Sequence, residues 1–129
     1  MVEEVKIDTN LYSRQIGTFG LETMGKLIKM KVLIIGCRGL GVETAKNLIL
    51  AGPNKVDLYD PTTVSIADQG SNFYIKAEHV GATTRAEASK TQLNELNPYV
   101  QTNVLHEFTT EIVKNYNVVV ITESFFTCA

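Results

Sequence analysis

Hydrophobic positions along this chain fall in short blocks, and their spacing switches repeatedly between a strand period and a helix period. Lys31 to Ile35 (KVLII) is a β-branched apolar run that predicts a buried strand, and it leads into a glycine-rich turn. The stretch VETAKNLILAG, Val42 to Gly52, carries helical spacing and stops at Gly52 and Pro53. Lys55 to Tyr59 (KVDLY) predicts a second strand closed by Asp60 and Pro61, because a proline cannot join a central ladder. From Thr62 to Val80 there is no period, and turn residues are frequent. Thr83 to Leu96 predicts a helix that ends before Asn97 and Pro98. Tyr99 to Leu105 and Asn117 to Thr122 predict two further strands, with TTEIVKNY as a short helix between them. Ahead of the first strand, LYSRQIGTFG and LETMGKLIKM predict two helical stretches, opened by Asn10 as an N-cap and interrupted by Gly17 and Gly20. Val2 to Thr9 reads as a polar lead-in.

Strands alternating with helices imply an α/β class and a Rossmann-like fold: a mainly parallel sheet, right-handed crossovers, helices on both faces, preceded by N-terminal helices. The expected division is residues 1–30 as tail and helices and residues 31–129 as a Rossmann-like domain, incomplete at its C-terminus. Such a domain would continue past VVVIT into another helix, so the chain is expected to be a fragment. A free sheet edge beside Phe125 and Phe126 would then limit solubility or favour self-association.

Composition narrows the function classes. The 129 residues are 44% hydrophobic, and 12 basic against 14 acidic side chains leave a net charge of −2 without any basic block. No field exists to gather nucleic acid or an anionic membrane surface, so neither is an expected partner. The longest apolar runs, Val32 to Ile35 and Val118 to Ile121, fall far short of the ~20 residues of a membrane helix. Two widely separated cysteines, Cys37 and Cys128, with no CxxC pair and no secretory leader, point to a reducing compartment, cytoplasmic and nuclear.

The turn after the first strand, GCRGLG from Gly36 to Gly41, stands where a dinucleotide or ATP phosphate loop would sit. In a GxGxxG loop the second glycine admits the phosphates to the backbone, but Arg38 occupies that place here and Gly39 is displaced by one. Two readings stay open: a guanidinium that binds phosphate itself, or a loop whose Gly36, Gly39 and Gly41 serve only helix–strand packing. The second is favoured. Asp60, some twenty residues on, stands where an acid would hold a ribose hydroxyl, although Asp before Pro is equally a turn former. His79 and His106 have no partner at metal or triad spacing, and Ser13, Ser65, Ser71 and Ser89 lack a nucleophile-elbow setting. No metal ligands and no cofactor-binding residues are assigned within the chain.

With these residues in view the chain resembles the N-terminal, inactive adenylation half of the ubiquitin-activating (E1) enzymes. The resemblance is carried by LYSRQIGTFG, GCRGLGVETAKNLILAG, LYDPTTVSIADQGSNFY, HVGATTRAEASKTQLNELNPYV and NVVVIT, which cover Leu11 to Thr122 in the family's order. Such enzymes pair two related halves, of which one keeps the ATP site. Active halves carry an intact GxGxxG loop, a DxD pair, an NRQ-type stretch and a lysine in the next helix. Here Arg38 replaces the middle glycine, Thr62 the second acid, Gly70, Ser71 and Asn72 the NRQ residues, and Arg85 the lysine. The resemblance therefore implies a degenerate half, with ATP and Mg bound by the active half, which lies outside this chain. It implies a parent enzyme that adenylates the ubiquitin C-terminus, forms a thioester and passes ubiquitin to an E2 conjugating enzyme. The implied partners are the active half, ubiquitin and E2 enzymes. It also implies one catalytic residue, Arg14 in YSRQ, as an arginine finger reaching into the active half's ATP site. Neither Cys37 nor Cys128 matches the family's catalytic cysteine. Tyr12, Phe19, Leu27 and Ile28 are expected to pack against the neighbouring half. Rival readings are the small subunit of a SUMO- or NEDD8-activating heterodimer and, from another class, an NAD-binding oxidoreductase domain using Gly36, Gly39, Gly41 and Asp60.

Overall fold

A computed structural model describes residues 10, 11, 14, 17, 18 and 20–123. The polar lead-in, Tyr12, Ser13, Phe19, the two terminal phenylalanines and Cys128 lie outside the described residues. Of the first expected helical stretch, Arg14 is described: its carbonyl accepts the Thr18 hydroxyl at 3.0 Å, one helical turn later.

Three parallel strands form the sheet in the order β2-β1-β3, where β1 is Lys31–Ile35, β2 is Lys55–Tyr59 and β3 is Val118–Ile121. Val32 pairs with both Val56 and Val118, and the register continues to Ile35 opposite Tyr59 and Ile121. The helices are α1 (Leu21–Leu27), α2 (Gly39–Ala51), a single turn α3 (Asp68–Ser71), α4 (Arg85–Glu95) and a short α5 (Thr110–Val113), with a 3-10 turn at Ala77–His79. Each end follows local chemistry. Gly52 closes α2 with φ 95°, the left-handed cap that glycine adopts freely. The Thr84 side chain caps α4 by accepting the Glu87 N–H, and Thr109 does the same for α5 through the Ile112 N–H.

The segment expected as a strand over Tyr99 to Leu105 lies parallel to β2 but makes only isolated bridges, Lys55 with Gln101 and Leu58 with Val104. Val56 and Leu58 donate to the carbonyls of Gln101 and Asn103, and Leu105 returns a bond to Leu58. The ladder is broken between these bonds. The Asn97 side chain turns the chain back at Tyr99, and Thr102 N–H bonds Asn94 instead of a strand. α2 starts three residues earlier than its hydrophobic period indicates, because the glycine loop itself supplies its first turn.

One face of the sheet buries Val32, Ile34, Val56 and Leu58 with Val42, Ala45, Ile49 and Leu93 of α2 and α4. Alternation turns Leu33 and Ile35 to the other face, and both are fully buried, so the sheet is covered on both sides. Met24 and Ile28 are buried as well. That corrects one expectation: Ile28 is used inside this chain and is not left free for a neighbouring half.

Candidate functional site

The carboxyl edge of the sheet, where a ligand of such a fold would lie, is built from the ends of β1, β2 and β3 and the first turn of α2. Gly36 leaves β1 with φ 102°, a conformation other residues rarely adopt, and its N–H donates to the Tyr59 carbonyl at 2.9 Å. A side chain there would collide with the Thr122 hydroxyl and with Glu123. A methyl at Gly41 would fall on the Gly36 carbonyl oxygen, and one at Gly39 would come 2.7 Å from the Ser71 carbonyl oxygen. Gly39 and Gly41 therefore serve close backbone packing, and Gly36 a left-handed turn packed against the Thr122 and Glu123 side chains.

Arg38 takes the N-cap position of α2, and its Nε lies 3.0 Å from the Glu123 carboxylate just beyond β3. The guanidinium that could have bound a phosphate is paired with an acid of the same chain.

Asp60 is turned inward and is 1% exposed. Its Oδ2 accepts the Cys37 N–H at 2.8 Å and its Oδ1 accepts the Thr62 N–H at 3.0 Å. Both oxygens are engaged by backbone, so the residue read as a possible ribose ligand is a clamp between the end of β2 and the glycine loop. Arg85 follows beneath: its NH1 lies 3.7 Å from Asp60 Oδ2 and its Nε 2.9 Å from Asp68 Oδ2, with all three side chains buried. Burial alone would raise the Asp68 carboxyl, but the Arg85 and Ser65 donors outweigh it and hold the pKa below its usual value. Burial likewise works against the Arg85 charge, and Asp68 with Asp60 overcomes it.

Asn72 completes the network. Its amide donates to the Cys37 carbonyl at 3.0 Å and to the Ser89 hydroxyl at 2.9 Å, while its oxygen accepts the Tyr74 N–H. Ser89 in turn donates to the Arg85 carbonyl. Cys37 is fully buried and unpaired, and burial, with Asp60 next, pushes its thiol far above its ordinary range. It is a packing residue of the core.

Of the residues singled out in sequence, the fold brings Arg38, Asp60, Thr62, Asn72 and Arg85 to one place and joins the last four through hydrogen bonds or ion pairs. Arg14 is exposed and outside this cluster. His79 accepts the Lys76 N–H in the 3-10 turn, and exposed His106 lies 3.6 Å from Glu87. Sequence reasoning missed Asp68 and Glu123. Neither had a local signal: Asp68 lies 17 residues from Arg85, and only the sheet topology places Glu123 beside Arg38. Among the described residues no group of three or more acidic, histidine or cysteine side chains could hold a metal, and no helix is long and apolar enough to cross a membrane.

A nucleotide needs open loop amides, a free ribose acceptor and uncompensated positive charge. At this edge Asp60 is engaged by backbone and Arg38 is paired with Glu123, while the N–H groups that open α2 have no side-chain cap.

The ThiF family model matches residues 12–126. The chain belongs to the ThiF family. Among its relatives, ubiquitin-activating enzyme E1 1 of Schizosaccharomyces pombe is 46% identical over 121 residues, covering 94% of this chain and 12% of that protein. Human ubiquitin-like modifier-activating enzyme 1 is 43% identical over 122 residues, covering 94% of this chain and 11% of that protein. This ThiF chain thus spans about an eighth of the length of the curated relatives it matches. Its fold is shared with Escherichia coli tRNA N6-threonylcarbamoyladenosine dehydratase TcdA in complex with ATP, at a TM-score of 0.76 and 17% identity over 95% of this chain and 52% of that one. PaaA gives a TM-score of 0.76 at 21% identity, covering 94% of this chain and 43% of that one.

Proposed function

We propose that this ThiF chain is the silent adenylation half of a ubiquitin-activating enzyme, supplying scaffold, an interface and one arginine to a partner half that holds ATP and Mg. The observation that supports the silent-half reading is the Asp60–Arg85–Asp68 network, which engages Asp60 within the chain. The assignment to ubiquitin rests on 43–46% identity to E1 enzymes across nine-tenths of the chain.

In the proposed parent enzyme the ubiquitin C-terminal carboxylate attacks the α-phosphate of ATP in the partner half, pyrophosphate leaves, and a cysteine of another domain takes the acyl group before transfer to an E2. A carboxylate becomes an electrophile only once its oxygen is a good leaving group, which is what the adenylate provides. Negative charge grows on the phosphate during the attack, and a fixed guanidinium stabilises it. Arg14 is proposed for that role: it is exposed and stands on the N-terminal segment, away from the ion pairs of the closed loop. The proposed location is cytoplasmic and nuclear.

The test is ubiquitin-dependent ATP–pyrophosphate exchange. The 129-residue chain alone is expected to give none. Arg14→Ala in the full-length enzyme is expected to slow exchange by about three orders of magnitude, by analogy with arginine fingers in phosphoryl transfer. Exchange by the isolated chain, or unchanged exchange in the variant, contradicts the proposal.

A further inference from the structure

The segment from Val100 to Leu105 runs along the outer side of β2, and its backbone faces two ways. Gln101, Asn103 and Leu105 turn inward: the Val56 and Leu58 N–H groups donate to the Gln101 and Asn103 carbonyls, and the Leu105 N–H donates to the Leu58 carbonyl. Alternation turns the polar backbone groups of Thr102 and Val104 to the outer side. The Thr102 N–H donates there to Asn94 Oδ1 at 3.2 Å. Among the described residues, the Thr102 carbonyl and the N–H and carbonyl of Val104 have no hydrogen-bond partner.

An open cavity of about 580 Å³ lies along this edge, lined by Lys90 and Asn94 of α4 and by Gln101, Thr102 and Asn103 of the segment. Lys90 is the charged residue of that lining; it is half-buried and makes no ion pair among the described residues. The Thr102 hydroxyl is buried in the wall, also without a partner among the described residues. Proteins blunt exposed edges with prolines, charges or bulges. Here Pro98 and the Asn94 bond close the start of the edge, and Thr102 to Val104 stay open.

The geometry points to a strand-addition site: the outer edge from Thr102 to Val104 takes an extended peptide segment of another protein, with an acidic side chain of that segment in the cavity against Lys90. Unpaired backbone donors and acceptors at strand spacing are satisfied by another backbone, and an adjoining cavity selects a side chain. That cavity is walled by amides, a hydroxyl and one unpaired ammonium, so it suits a carboxylate better than an apolar anchor. A second copy of this chain is a poorer occupant, because the one acid on its three strands, Asp57, is buried within the sheet.

The probe is a short, fluorescently labelled peptide of alternating threonine and valine with one central glutamate, titrated into the full-length protein. Binding is expected, weakened about tenfold by Lys90→Glu through loss of one charge-assisted contact and retained by Lys90→Arg. Methylating one alternate set of the peptide's backbone nitrogens is expected to abolish binding and methylating the other set to preserve it, since only one set faces the edge. Deuterium exchange is expected to slow in fragments spanning Val100 to Leu105 when peptide is added, and to stay unchanged across β3. Absence of binding at millimolar peptide overturns the inference. So does affinity indifferent to Lys90→Glu, equal binding by both methylated peptides, or slowed exchange confined to other segments.

Discussion

Asp60 Oδ2 accepts the Cys37 N–H at 2.8 Å, tying the end of β2 to the middle of the glycine loop. In a nucleotide site that acid would face outward toward sugar and the loop amide toward phosphate. Here each satisfies the other, and Arg85 lies behind the same oxygen at 3.7 Å.

Removing Arg85 leaves Asp60 and Asp68 buried without their cation. Arg85→Ala is expected to cost about 3–5 kcal/mol, the usual loss when one partner of a buried pair is deleted. Urea denaturation of the chain measures it. Arg85→Lys should recover part of the loss, because one ammonium cannot reproduce the fork that spans both acids. A loss under about 1 kcal/mol for Arg85→Ala, the range of exposed pairs, would contradict a buried role.

Two glycines should respond to the same substitution with opposite sign. Gly41→Ala places a methyl on the Gly36 carbonyl oxygen, where backbone meets backbone and neither side can yield. A loss of about 1–3 kcal/mol or more is expected from overpacking. Gly25 in α1 has open space around it, so Gly25→Ala is expected to stabilise by about 0.5–1 kcal/mol through helix propensity. Thermal midpoints of the two variants check the pair, and equal signs would refute the packing assigned to the loop.

Acid should loosen this edge first. The Asp68 pKa is lowered in the folded chain, so its contribution to stability is fully present above the unfolded value of 3.8 and is lost as pH falls through the folded value below it. Asp68→Asn is therefore expected to flatten the stability profile over that acid range while lowering stability at neutral pH. A profile as steep as that of the unsubstituted chain would show that Asp68 does not carry the dependence.

Much of this was legible in the sequence, for identifiable reasons. β1, β2 and β3 were visible because short apolar runs bounded by turn residues have few alternatives to a parallel sheet. α4 was visible from its spacing and from Asn97–Pro98 beyond its end. The segment after Pro98 misled because Val100, Thr102 and Val104 alternate with Gln101 and Asn103 as in a strand, yet beside β2 it makes only isolated bridges. At the site, the glycine pattern and the Arg38, Thr62, Asn72 and Arg85 departures located the right edge. What those residues do instead was hidden, because a partner 17 or 85 residues away, as Asp68 is to Arg85 and Glu123 to Arg38, leaves no local pattern.

The central claim is that this loop is closed by its own side chains. Thermal unfolding of the chain with and without saturating Mg·ATP tests it most directly. A ligand at a hundred times its dissociation constant stabilises by ~2.7 kcal/mol, which moves the midpoint of a domain this size by several degrees. No shift is the expected result. A clear rise with Mg·ATP would mean that Arg38 leaves Glu123 to take a phosphate, and would contradict the account of a closed loop.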